Sequence, residues 1–324
     1  MAVRKALLAM ALAVPLAVAG CSNNEPTPGT SAGPGQAGAF TFAMVSHGSA
    51  GDKFWDVVKN GWEQAGKDLG VTVTYQSSGD PQRQSQLIDA AVSQKVNGLV
   101  VSMANPDALR SSIEAAVKAG IPVITINSGV DKSAEFGAIA HVGQTETVAG
   151  EGAGRKFAQK GAKHLLCVVH EAGNIGLEQR CAGARSTFGG TVENLQVNVS
   201  DLAGTTNTIA AKLQSDPSID AVLTLNNGVA TAAVNAAAQA NRSDAAIGTF
   251  DVDSAVLDAI SAGKIFFAVD QQPYLQGYLP VVQLYLYLTN GNTVGGGQPV
   301  LTGPGFIDAS NVEQVKTYAQ QGTR

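Results

Sequence analysis

Residues able to act as nucleophiles, metal ligands or phosphate cradles occur in this chain, but their spacing argues against each role. Ser49, in Gly48-Ser49-Ala50-Gly51, lacks the glycine two positions away on both sides that a nucleophile elbow requires. The four histidines, His47, His141, His164 and His170, show no helical metal spacing, and the last two bracket one strand, roughly 20 Å apart at strand rise. Gly150, Gly152 and Gly154 fall inside a helical stretch and break the G-x-G-x-x-G order, so close helix packing explains them better than a phosphate loop. The carboxylates show no pairing that suits glycosidase work. The chain therefore reads as a non-enzyme with no cofactor and no metal. What remains is equipment for holding a ligand. A polar loop from His47 to Asp52 runs straight into Phe54 and Trp55, Ser102 and Met103 close one apolar strand, and Asn127 and Asp251 close two others.

These residues sit on a regular framework. Runs of β-branched and aliphatic residues alternate with amphipathic stretches of helical period, the pattern of βαβ units in parallel sheets. Strands are expected at 40–46, 71–76, 98–102, 121–126, 164–169, 193–199, 220–225, 245–250 and 265–270, with helices between them and a last helix at 273–290. Asp80-Pro81 and Asn105-Pro106 are sound helix starts, since an Asx side chain can cap free N–H groups and proline at the first turn loses no hydrogen bond. A weak internal repeat is more informative than any single motif. Asn97-Gly98-Leu99-Val100-Val101-Ser102, a helix, and Ile121-Pro122-Val123-Ile124-Thr125-Ile126-Asn127 have a counterpart at an offset near 124, in Asp220 to Thr224, a helix, and Ala245 to Asp251. Two similar α/β halves follow. Asn127 and Asp251 would then hold equivalent places at the carboxyl ends of matching strands, where open α/β sheets bind ligands.

Composition and the amino-terminal segment bound the rest. At 324 residues the chain allows about two domains. With 44% hydrophobic and 15% charged residues it can bury a sizeable core. Lys plus Arg is 21 against 26 for Asp plus Glu, a net charge of -5 without a long basic run, so nucleic acid is not an expected partner. The one long apolar stretch, residues 6–20, follows Arg4 and Lys5 as in an export signal, which excludes a multi-span membrane protein. Val18-Ala19-Gly20-Cys21 resembles a bacterial lipobox, and that resemblance implies cleavage before Cys21 and a diacylglyceryl group on its thiol. A plain secretory peptide is the alternative. Residues 22–38 are rich in Gly, Pro, Ser and Thr and read as a disordered tether. Residues 1–20 are thus expected to be a lipoprotein signal peptide and 21–38 the tether, which places the folded part at the outer face of the cell membrane, in the periplasm or at the cell surface. In an exported protein the pair Cys167 and Cys181 could form a disulfide, while Cys167, inside an apolar strand, could equally be a buried thiol.

With an export signal, a tether and twin halves, the chain resembles the sugar-binding, ribose-binding-type branch of the periplasmic binding proteins of ABC importers. The resemblance covers roughly residues 40–290 and is carried by Phe54-Trp55, Gly120-Ile121-Pro122-Val123-Ile124, Gly248-Thr249-Phe250-Asp251 and Asp270-Gln271-Gln272-Pro273. It implies the type I periplasmic binding protein fold: α/β, with two similar doubly wound parallel-sheet lobes joined by a three-crossing hinge. The crossings map near 142–144, 271–272 and 295–297. That gives an N-terminal lobe of 39–142 plus 272–297 and a C-terminal lobe of 143–271 plus 298–324.

The resemblance also implies a ligand set. Phe54 and Trp55 would cover the C–H face of a sugar ring, while charged and amide side chains serve its hydroxyls. Arg180 aligns with a ligand-binding arginine of the family, Asn226 with an Asn, Asp251 with an Asp, and Gln271 with a hinge glutamine that touches ligand. Asn127 stands where sugar-binding relatives often carry Asp, and Ser128 where ribose binders carry an arginine. His47, Asp52, Ser102 and Met103 complete the first-lobe set, and Gln272, Tyr274 and Gln276 are placed near the hinge. One arginine facing the Asp251 carboxylate would leave the cleft close to neutral and suited to vicinal hydroxyls. The expected function is capture of a small neutral sugar or sugar alcohol by a monomeric, lipid-anchored receptor. The receptor would deliver it to an ABC permease served by a separate ATPase subunit. Presentation of a sugar-like signal to a membrane receptor is the alternative. A lactose-repressor-type regulator shares the core fold but would need a DNA-binding helix pair where this chain has an export signal.

Overall fold

A parallel strand covered on both faces must be apolar throughout, and its successive side chains then feed two separate cores. Thr41–Ser46 (β1) does this: Phe42 and Met44 join one apolar layer of the first lobe, with Val58, Trp62, Val281 and Leu284, while Ala43 and Val45 join the other, with Ile88, Leu109 and Ile113. The computed structural model describes residues 40–49 and 51–324. The export signal, the tether and Cys21 lie outside the described residues.

The first lobe runs β1, Lys53–Leu69 (α1), Thr72–Ser77 (β2), Pro81–Ser93 (α2), Gly98–Ser102 (β3), Pro106–Lys118 (α3), Val123–Ile126 (β4), Val130–Ser133 (α4) and Ala140–Gly143 (β5). The second runs Glu146–Lys160 (α5), His164–Val169 (β6), Ile175–Phe188 (α6), Thr191–Gln196 (β7), Leu202–Ser215 (α7), Ala221–Thr224 (β8), Asn227–Gln239 (α8), Ala246–Phe250 (β9), Ser254–Ser261 (α9) and Phe267–Asp270 (β10). The chain returns through Pro273–Asn290 (α10), a 3-10 turn at Gly295–Gly297 and Val300–Leu301 (β11), then ends in Gly305–Ile307 (β12) and Val312–Gln320 (α11). The sheet orders are β11-β5-β4-β3-β1-β2 and β12-β10-β9-β8-β6-β7. Written this way the two sheet orders correspond strand for strand, β3 to β8 and β4 to β9, as the repeat requires. The difference is at the edge: β11 lies parallel to β5, and β12 antiparallel to β10.

The third crossing is later in the chain than expected. Val300 pairs with Val142 and Leu301 with Gly143, so 298–301 belong to the first lobe and the chain crosses at 302–304. Gly295, Gly296 and Gly297, which looked like a hinge, all have positive φ (81°, 57° and 84°) and form an exposed turn that aims β11 back at β5. The other two crossings fall between β5 and α5 and between β10 and α10.

Glycines set how tightly paired helices approach. A Cβ on Gly150 of α5 would strike the Arg180 carbonyl of α6, and one on Gly183 would strike the Thr147 carbonyl. The same device joins α1 to α10, through Gly61 against Tyr274 and Gly277 against Val58. Gly150 and Gly154 of α5 are therefore contact points with α6, whereas Gly152 faces the Phe306 ring of β12. Cys167 of β6 and Cys181 of α6 are joined, with Cα atoms 5.9 Å apart, which ties α6 to the sheet beside Arg180. Among the described residues no helix is long and apolar enough to cross a membrane.

Candidate functional site

The carboxyl ends of strands from both lobes face one small cavity. From the first lobe come His47 after β1, Asp52, Phe54 and Trp55 at the start of α1, and Asn127 and Ser128 after β4. The second lobe contributes His170, Glu171 and Asn174 after β6, Leu177 and Arg180 from α6, Leu225 and Asn226 after β8, and Asp251 after β9. Gln271, at the crossing after β10, closes the set.

Helix capping places several of these groups. Asp52 accepts the Phe54 N–H at 3.0 Å, Asn174 accepts from Gly176 and Leu177, and Asn226 accepts from Gly228 and Val229. The cap fixes each side chain at a helix N-terminus while leaving its second polar atom for other partners. Asn226 Nδ2 reaches Asp52 Oδ1 across the lobes at 3.5 Å. His47 Nε2 and Glu171 Oε2 also meet across the lobes, at 4.0 Å. The Ile175 N–H donates to the Ala104 carbonyl at 3.0 Å, and Gln179 donates to Asp131 at 2.8 Å. The lobes are closed on one another.

Asn127 and Asp251 both adopt the left-handed region, with φ of 61° and 69°, a conformation Asn and Asp tolerate better than most residues. That turn swings each side chain off its strand end toward the hinge. Gln271 joins them, accepting from Asn127 Nδ2 at 3.1 Å and donating to Asp251 Oδ1 at 2.7 Å. Asn127 also donates to Gln276 and accepts from Ser128, so its amide is largely spent on orienting neighbours.

The charge balance differs from the near-neutral cleft expected. Arg180 lies against Glu146, the first residue of α5, with Nε to Oε2 at 2.5 Å and Nη2 to Oε1 at 3.1 Å. It also donates to the Leu225 carbonyl and stacks on Phe250 at 4.4 Å. Because Gly150 lets α6 press onto α5, Arg180 meets an internal carboxylate there, and its charge is already balanced. Asp52, Glu171 and Asp251 then have no further Lys or Arg among the lining residues. Burial pushes the Asp251 carboxyl up to about 7 against the pull of Arg180, and pushes Asp52 up to about 6. Burial also lowers His47, and takes His170 down to about 4. Glu171 ends below the ordinary carboxylate value: burial opposes its ionisation, but His47, His170, the 2.6 Å hydrogen bond from Asn174 and Arg180 outweigh it.

Two expected residues do not line the cavity. Ser102 stands behind His47, its Oγ accepting the His47 N–H at 2.8 Å and meeting ring Nδ1 at 2.7 Å. Met103 is wholly buried in the first-lobe core. Tyr274 stacks on Tyr278 away from the cavity, whereas Gln272 and Gln276 bond Thr302 at the crossings. The sequence reading missed His170, Glu171, Asn174, Leu177, Leu225 and Glu146, and gave Ser128 no ligand role. A signal existed for three of them: His170 and Asn174 follow β6 as His47 and Asp52 follow β1, at nearly the offset of the repeat, and Glu171 lies between. Among the described residues one His-carboxylate group lies elsewhere, His164 with Glu193 and Asp216, but Lys212 already sits 3.0 Å from Glu193 and 3.8 Å from Asp216.

A closed two-lobed cleft lined by hydrogen-bonding groups and two aromatic rings defines a binding protein for a small polar solute. Residues 42–293 match the periplasmic binding protein domain, and the chain belongs to that family, the extracytoplasmic, non-enzymatic solute-binding components of ABC importers. The crystal structure of a carbohydrate transporter from Acidothermus cellulolyticus in complex with myo-inositol is 44% identical, covers 88% of this chain and 99% of that one, and superposes with a TM-score of 0.86. The D-apiose import binding protein of Actinobacillus succinogenes is 26% identical over 87% of this chain and 94% of its own length. The xylose/arabinose-binding protein of Sulfolobus acidocaldarius is 26% identical over 70% of this chain, and the match spans 60% of that protein.

Proposed function

We propose that this chain captures one small polyhydroxylated ring, myo-inositol before the pentoses, and delivers it to an ABC permease. The observation that carries the reading is the 44% identity, over nearly the whole of both chains, to a structure that holds myo-inositol. The cavity supports it. Phe54 and Trp55, edge to face with centroids 5.2 Å apart, supply apolar cover, while Asp52, Glu171 and Asp251 accept from hydroxyls and Arg180 and Asn226 donate to them. Because both lobes contribute, a ligand meets its full set of partners only in the closed form, and its differential affinity sets the population of that form. The permease would read the closed surface, and a separate subunit would hydrolyse ATP. The protein would act as a monomer held to the membrane by lipid on Cys21.

Thermal unfolding against neutral sugars, cyclitols, amino acids and sugar phosphates tests the ligand. Myo-inositol at 100 times its dissociation constant should add about 2.7 kcal/mol of stability. Shifts only with amino acids or anions, or with nothing, would overturn the reading. For the anchor, Cys21→Ala should move the protein from the membrane fraction to the medium or periplasmic fraction, and retention on the membrane would exclude it.

A further inference from the structure

With Arg180 neutralised by Glu146, the cavity holds an excess of hydrogen-bond acceptors and of negative charge. Asp52 belongs to the first lobe and Glu171 to the second, so closing the cleft brings two carboxylates together in a small buried space. The charge of Glu171 already raises Asp52. Among the described residues no Lys or Arg separates them. His47 and His170 are nearest, and burial keeps both rings neutral at pH 7. His170 is 7% exposed and lines the cavity, yet its Nδ1 has no hydrogen-bond partner among the described residues. This corner of the site is built to receive donors and positive charge.

Hydroxyl groups satisfy such acceptors one hydrogen at a time and leave the charges in place. An ammonium group brings three N–H donors together with the missing charge, and charge-assisted hydrogen bonds are roughly twice as strong as neutral ones. We propose that the cleft also takes amine-bearing rings, aminocyclitols or amino sugars in their protonated form, with the ammonium held between Asp52 and Glu171. This rests on the reading of the cleft as a polyol site and narrows its ligand class. The same surplus of acid excludes phosphorylated and carboxylated rings.

The test is calorimetric titration of the full-length protein at pH 7.5 with myo-inositol and with its monoamino-monodeoxy analogues, the amine placed at each ring position in turn. At least one analogue should bind as tightly as myo-inositol or more tightly. If every analogue binds more weakly, the ammonium site is wrong while the polyol reading stands, and if neither parent nor analogues bind, both fail together. Asp52→Asn preserves the helix cap, because Asn and Asp cap equally well. In that variant the affinity ratio of the best analogue to myo-inositol should fall at least tenfold, and Glu171→Gln should act in the same direction. An unchanged ratio in both variants would remove the ammonium from this corner of the cavity.

Discussion

Asn127 and Asp251, equivalent residues at the ends of matching strands in opposite lobes, are joined by the single side chain of Gln271. The glutamine accepts from Asn127 at 3.1 Å and donates to Asp251 at 2.7 Å. It lies at a crossing between lobes, so one amide orients a residue from each half where the chain passes between them. Gln271→Leu should lower affinity for the sugar ligand by about 10- to 100-fold, equivalent to about 1–3 kcal/mol for leaving buried partners unpaired. Calorimetry on the variant measures this directly. A loss under threefold would show that Asn127 and Asp251 are oriented by their own backbone turns.

The ligand-free protein should respond to pH through Asp251. Its folded-state value is about 7 against an ordinary 3.8, raised chiefly by burial. A carboxyl raised on folding contributes stability that is complete below about pH 4 and is lost as pH climbs through 7. Asp251→Asn removes this loss, and Asn keeps both the positive φ and the hydrogen bond from Gln271. The melting temperature of the variant minus that of the native protein should therefore rise between pH 5 and pH 8, by a few degrees at the rate of about 2–4 °C per kcal/mol. His47 and His170 are lowered on folding and act in the opposite sense, losing stability as pH falls below 6.5, but they cancel in the difference. A flat difference curve would show that Asp251 is ionised throughout.

Glu146 makes a prediction about stability. It and Arg180 are both buried, 1% and 3% exposed, and bonded through two pairs of atoms. Glu146→Ala leaves the arginine charge buried without its partner and should cost about 3–5 kcal/mol in denaturant unfolding. Glu146→Ala combined with Arg180→Met should cost much less than the sum of the separate changes. A single-variant cost below about 1 kcal/mol would mean that Arg180 draws its balance from the cavity.

Asn127 and Asp251 could be read from the sequence because the repeat places both at strand ends, and strand ends are where this architecture binds. The same reasoning misplaced Ser102 and Met103. Both follow β3, but one backs His47 and the other turns into the core, a choice set by packing and not by position along the strand. Glu146 was invisible for a different reason. An acid in the first turn of a helix is ordinary, and its pairing with Arg180 depends on Gly150 admitting α6, a contact between residues 34 positions apart. The strands β5, β11 and β12 are four, two and three residues long, too short for any periodicity to show, and they exist through pairing with distant chain. The third crossing was misplaced for that reason. Three glycines suggest a hinge locally, but only the pairing of Val300 with Val142 shows which lobe follows them.

The Cys167–Cys181 bond closes a sequence separation of 14 and fastens α6 next to Arg180. On chain-entropy grounds a loop of about 15 residues contributes about 3 kcal/mol by restricting the unfolded chain. Cys167→Ala with Cys181→Ala should therefore unfold at lower denaturant by that order. The site should feel the change as well, because α6 also carries Leu177 and begins at the Asn174 cap that holds Glu171. With α6 held by noncovalent packing alone, affinity for the sugar ligand should fall by about three- to tenfold, with Arg180 still paired to Glu146. Titration of the double variant beside the native protein reads both effects, and equal affinity with reduced stability would show that noncovalent packing alone positions the helix.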